Sequence, residues 1–283
     1  MSVLSDQDII RELGRGIFFH PLKTGSVKAC DLCLTASEYA YAIGKKERLT
    51  IETEPKKGKS GEEQKFFFIP PRDTALVWTD ESVWLSNQFR GPLYSIVDRV
   101  SNGLGHIGTR VNPCWSGVLC IALHNISDEA VRINVRDVNQ PIVYLAIEKL
   151  SSNSSRSSKP DNPARLDVLS KHDNRREIDT YFNQRENSWM RGDTDRLKEL
   201  MLESDEYKKL KRGIHNTLIN LLGSDEQVRW TAINALAALL AVIIAGIALF
   251  KPSSLSTPSS TKAPTPQIQE NPADKTVNPT SDK

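Results

Sequence analysis

The chain is short of cysteine, of net charge and of long apolar runs, and each shortage removes a class of function. Only four cysteines stand in 283 residues, Cys30, Cys33, Cys114 and Cys120. Cys30 and Cys33 lie in the strand-like run ACDLCL, which points them to opposite faces. The CxxC spacing therefore makes no zinc site, and the four read as buried thiols in a reducing compartment. No metal is expected. A formal net charge of +2 gives no general attraction to nucleic acid, and none is expected as a partner. The opening MSVLSDQDII has neither a basic n-region nor an apolar h-region, so no secretory signal is expected. The chain also shows no internal repeat.

The apolar run that does exist is AINALAALLAVIIAGIALF, residues 232–250, with Asn234 as its one polar member. At about 1.5 Å per residue it matches a hydrocarbon layer of about 30 Å, with Arg229 and Trp230 before it and Lys251 behind. A single transmembrane helix over 230–251 is expected, the alternative being a buried core helix. Lys208, Lys209, Lys211, Arg212 and Arg229 precede it against Lys251 and Lys262 behind, which places the N-terminal part in the cytoplasm. The cluster KKLKR at 208–212 then lies beside anionic headgroups, with nucleic-acid binding the weaker alternative. Residues 252–283 carry six prolines and no aromatic residue and are expected to be a disordered tail.

Upstream, SSNSSRSSKPDNP at 151–163 has the composition of a flexible linker. Over 164–229 an amphipathic helical stalk is expected, with Leu200, Tyr207, Ile214 and Leu221 seven residues apart, although Glu203, Thr217 and Gly213 break a strict heptad pattern. Residues 1–150 have a β texture. After a helix signal with Ser5 as N-cap, the runs VKACDLCL, KFFFIP, TALVWT, GVLCIALHN, VRINV and PIVYLAIEKL follow one another, with no helix long enough for a βαβ crossover. An antiparallel barrel or jelly roll is expected, with 44–65 as a polar surface loop.

LSDQDIIRELGRG, VKACDLCL, PPRDTALVWT, SIVDR and RVNPCWSG, in that order, resemble the dCTP deaminase and dUTPase family over about residues 1–150. The most specific part is R-x-N-P-x-W-x-G, Arg110 to Gly117, similar to the family's R-I-D-P-G-W-x-G, with Arg99 eleven residues before Arg110 as in the family's S-S-x-x-R segment. The resemblance implies a mainly β, distorted jelly-roll barrel of dUTPase type and a homotrimer with shared deoxynucleotide sites. No cofactor is implied, and Mg²⁺ enters only as the counter-ion of a nucleotide.

The departures matter as much. In the family's deaminases a glutamate on the strand after the turn activates water, and that position is Ala122 here. The aspartate of the turn is Asn112, the arginine opening the R-S-S segment is Tyr94 and its second serine is Ile96. Neither a methyl group nor a carboxamide can serve as general base. Ser95, Arg99 and Arg110 survive: on the resemblance Ser95 holds water or a phosphate and Arg99 contacts the nucleotide, while Asn112 stands beside Arg110 in the ligand-binding set. The alternative is that both arginines only form ion pairs. Asp98 could supply a relocated base, and His106 and His124 are further candidates.

Three functions follow. One is a catalytically silent, membrane-anchored nucleotide sensor or scaffold, suited to bacterial defence or stress. Another is an active dCTP deaminase or dUTP diphosphatase using Ser95, Arg99 and Asp98. The last is a purely structural trimerisation module.

Overall fold

The computed structural model describes residues 1–56, 61–156, 164–165, 168, 180–182 and 184–221. In chain order these form β1 (Ser2–Val3), helix α1 (Asp6–Glu12), β2 (Ile17–His20), β3 (Asp31–Leu34), β4 (Ala36–Ala42), β5 (Glu47–Arg48), β6 (Glu52–Pro55), β7 (Glu63–Ile69), β8 (Thr74–Leu85) and β9 (Phe89–Tyr94). Helix α2 (Val97–Ser101), β10 (Leu104–His106), β11 (Arg110–Val111), β12 (Ser116–Asn125), β13 (Val131–Asn134), β14 (Val143–Ala146) and β15 (Glu148–Lys149) follow. A 3₁₀ segment (Arg185–Arg191), α3 (Thr194–Glu203) and α4 (Asp205–Leu221) complete the described chain. The expected transmembrane helix over 230–251 and the tail over 252–283 lie outside the described residues. Among the described residues no helix is long and apolar enough to cross a membrane.

The protein is mainly β, and the strands pair antiparallel in three sheets. One runs β1-β15-β9-β14-β3 with β11 beside β9, a second β10-β12-β8-β4-β5 with β2 beside β8, and the third β13-β7-β6. None of the three closes on itself among the described residues, so the expected barrel is an open stack of sheets. The helix signal at Ser5 is realised, its Oγ accepting the Asp8 amide at 3.3 Å. The polar stretch 44–65, expected as a loop, contributes β5, β6 and the start of β7. Alternating Glu and Thr at 52–54 pair with 64–66 in register, which polar residues can do where one face meets water.

β8 is longer than the run TALVWT, because the charged pair Asp80–Glu81 continues it into the core. Both carboxylates are buried, and the burial is tolerable because partners arrive from distant segments. Lys23 Nζ lies 2.8 Å from Asp80, Arg136 Nε donates to Asp80 at 2.8 Å, and Thr35 donates its amide (2.7 Å) and hydroxyl (2.6 Å) to Glu81. Burial still dominates at Glu81 and pushes its pKa up to about 7, against the pull of Lys23.

The expected stalk is helical and amphipathic where it is described, yet its apolar face is built into the β core. Phe182, Trp189, Met190, Leu197 and Met201 are buried with the strand residues. Polar bonds fix the same segment. The Trp78 indole donates to the Ala164 carbonyl at 2.6 Å, Ser82 Oγ donates to the Trp189 carbonyl at 2.9 Å, and the Phe19 amide reaches Met201 Sδ at 3.3 Å. KKLKR is partly committed as well: Lys211 Nζ bonds the carbonyls of Ile10 and Arg11 at the end of α1, the place where a helix dipole favours a cation.

This strap half-buries His20, whose ring edge meets Trp189 at 5.0 Å and whose Nδ1 makes no hydrogen bond. Burial is the largest influence and pulls its pKa down to about 4, Asp80 opposing and Arg196 and Lys23 assisting. Between pH 6.5 and 4 the unfolded chain thus binds the proton and the native chain does not, so this group costs stability as pH falls. Glu81 acts in the opposite sense, since its native carboxyl holds a proton up to about pH 7. Relative to the natural sequence, His20→Leu should gain about 2 kcal/mol between pH 7 and pH 4, after allowance for partial exposure. Denaturation midpoints across that range check this, and parallel profiles would refute it.

Candidate functional site

The Arg110–Gly117 turn is stitched to the end of β8. Cys114 donates its amide to the Leu85 carbonyl at 2.8 Å and itself adopts a left-handed φ of 61°, and Trp115 N–H closes the turn on the Asn112 carbonyl at 3.1 Å. β11 lays Arg110 opposite Pro92 of β9, on the rim of a cavity of about 420 Å³ shared with Arg90, Pro92, Gly108 and Thr109. Arg90 is ion-paired with Glu148. Arg110 donates Nε to Asn112 Oδ1 at 3.0 Å, an uncharged acceptor that leaves the cation's charge uncompensated by that contact. An amide at 112 thus orients Arg110 without neutralising it.

Immediately after the turn, β12 presents Ala122. It is half-buried, opposite Leu76 of β8, and shares its face of the strand with His124. His124 Nδ1 is 2.9 Å from Thr74 Oγ1. Residue 122 therefore offers only a methyl group to that face.

Ser95 lies before the N-cap of α2, outside the helix. Ser95 and Arg99, four residues apart, are therefore not on one helical turn. Ser95 Oγ instead lies 2.7 Å from His106 Nδ1. Arg99 turns the other way, and its guanidinium donates to the carbonyls of Gln140 (3.0 Å) and Arg132 (3.4 Å). Burial lowers its pKa, with Asp98 and Asp137 opposing.

Arg99 and Asp98 line a cleft of about 890 Å³ between α2, the loop after β12 and the loop before β14. Asn102, Ser127, Glu129 and Tyr144 complete much of its wall, and Ser95 is not part of it. Within one chain Ser95, Arg99 and Arg110 thus have three separate sets of neighbours. Asp98 sits in the cleft with Arg99 rather than beside the Ser95 hydroxyl. No group of three or more His, Cys, Asp or Glu side chains with metal-binding geometry occurs among the described residues. Cys30, expected to be buried, is exposed, whereas Cys33 is buried.

In the sequence His106 is one of several isolated histidines. The signal that distinguishes it is spatial, since β10 must pair with β12 before the ring meets Ser95. Two buried polar atoms without a hydrogen-bond partner lie on this strand pair, His106 Nε2 and His124 Nε2. Unmatched groups of this kind cost free energy unless another molecule meets them.

No family model matches the chain. It is 27% identical over 137 residues to a dCTP deaminase of Pyrococcus horikoshii, covering 48% of this chain and 80% of the relative. It is 26% identical over 147 residues to a dCTP deaminase of Pyrococcus abyssi, covering 52% and 88%. Among solved structures, the dCTP deaminase from Agrobacterium tumefaciens overlaps 60% of this chain and 53% of its own at a TM-score of 0.39 and 11% identity.

Proposed function

We propose that this protein is a dCTP deaminase-like nucleotide binder that has lost the deamination step and serves as a sensor or scaffold. The observation that carries the reading is the pairing of a retained cation with a lost acid. Arg110 keeps a charge that its amide neighbour does not cancel, while β12, which follows in the chain, presents the methyl of Ala122. A guanidinium suits a phosphate, and a methyl group cannot take a proton from water. The similarity to archaeal dCTP deaminases supports a pyrimidine deoxynucleotide as ligand, with Mg²⁺ only as its counter-ion.

Assembly belongs to the same proposal. Ser95, Arg99 and Arg110 diverge within one chain, so a site using all three needs a second copy, and a homotrimer supplies one. Exposed apolar side chains around α2 and β10 fit such contacts: Val97 is 83% exposed, Ile107 77% and Ile126 69%. The apolar run 232–250 supports a single-pass membrane attachment with the residues before it in the cytoplasm. Three chains would then bring three such segments together, raising their local concentration by linkage alone.

Equilibrium dialysis of the full-length protein with dCTP tests the binding half. Replacing Arg110 with Met should weaken binding about tenfold or more, the usual loss for a charged hydrogen bond. Equal affinity in both proteins would remove Arg110 from the site.

A further inference from the structure

The Ser95–His106 pair has chemistry that the proposal above leaves unused. β10 brings the imidazole against the residue preceding the α2 N-cap, with Nδ1 2.7 Å from Ser95 Oγ. The other ring nitrogen, Nε2, is buried and makes no hydrogen bond. A neutral imidazole has one proton for two nitrogens. Placed on Nε2, that proton would be a buried donor without an acceptor. Placed on Nδ1, it is satisfied by Ser95, and only a lone pair stays unmatched, which is the better tolerated of the two orphans. Burial favours the neutral ring and the His124 ring assists, while the Leu93 carbonyl opposes them. His124 is held on its own side by Thr74.

We infer that His106 is a positioning residue: it donates its Nδ1 proton to Ser95 Oγ, so that the serine's own proton, whose other contact is the His106 carbonyl at a long 3.5 Å, turns to the ligand. This rests on the nucleotide-binding reading and specifies the atom type met at Ser95. With the opposite polarity the hydroxyl proton would be held by the imidazole, and only a lone pair would face the ligand. With this polarity Ser95 is a donor and selects an acceptor, a phosphoryl oxygen of the nucleotide. The same polarity removes His106 as a base, because a nitrogen that already carries a proton cannot accept one from the hydroxyl. The pair therefore binds and does not activate, in keeping with the loss of the acid at Ala122.

Two measurements on the full-length protein test this. Nitrogen-15 spectra of histidine-labelled protein, with the His106 signal assigned by its absence in His106→Asn, should show Nδ1 protonated and Nε2 unprotonated; the reverse tautomer overturns the inference whatever the protein binds. Affinities for dCTP and deoxycytidine are then compared. His106→Leu should lose about tenfold for dCTP and little for deoxycytidine, which has no phosphate. His106→Asn, whose amide N–H can stand near the Nδ1 position, should stay within about threefold of the natural protein. Ser95→Ala should cost no more when combined with His106→Leu than alone, because both remove one interaction. Unchanged dCTP affinity in His106→Leu, with the natural protein binding, overturns the inference and leaves the nucleotide reading standing. A natural protein that binds neither compound removes both.

Discussion

Ala122→Glu combined with Asn112→Asp is expected to convert dCTP to dUTP and ammonia at least about 100-fold faster than the natural sequence, the lower range for a positioned general base. The natural sequence is expected to leave dCTP unchanged. The reasoning is local. β12 follows the turn and, past an irregularity between Val118 and Cys120, sets residue 122 opposite Leu76, where its half-buried place puts a side chain on the strand surface rather than in the core. A carboxylate there regains the proton acceptor that a methyl group lacks, and the second substitution exchanges an amide with no basicity near neutral pH for another carboxylate. Asp98 lines the Arg99 cleft, whose wall does not include Ser95. Chromatographic separation of dCTP from dUTP reads the outcome. Inactivity of the double variant, with dCTP still bound, would mean that more of the site is lost than its acids.

Gly117→Ala should destabilise the protein by about 3 kcal/mol, combining backbone strain with overpacking. Gly117 has a φ of 128°, which side-chain-bearing residues rarely adopt, and an added Cβ would lie 3.0 Å from the Met190 carbonyl. That carbonyl has little freedom, because Trp189 and Met190 are buried and Thr194 reaches Ser116 Oγ at 3.3 Å. The substitution should therefore loosen the strap along with the fold, visible as earlier exposure of Trp189 in denaturant than in the natural protein. Gly105→Ala is the control: its Cβ would meet nothing within 4 Å, so its effect should stay within about 1 kcal/mol. Similar midpoints for Gly117→Ala and the natural protein would show that strap and turn are not packed as described.

Much of this architecture is legible in the sequence because it is local. The Ser5 cap, the antiparallel texture and the position of β12 all follow from short-range patterns, and each is present. The misreadings share one cause, partners that are distant in sequence. Asp80 and Glu81 read as the end of a strand because nothing nearby indicates Lys23, Thr35 and Arg136. The stripe of Leu197, Leu200 and Tyr207 is visible, but the same stripe serves a coiled coil or a sheet face equally well, and only the fold shows that it packs on the β core. Ser95 and Arg99 stand four residues apart in the sequence. A start at Val97 and two backbone carbonyls from other loops separate them. His106 carries no signal of its own until β10 pairs with β12.

The most direct test follows bound nucleotide and product in one sample: full-length protein is incubated with labelled dCTP, and retained dCTP and released dUTP are quantified together. Saturable retention of intact dCTP with no dUTP is the result expected of a pocket that keeps its guanidinium and lacks its proton acceptor. Release of dUTP at an ordinary enzymatic rate would contradict it.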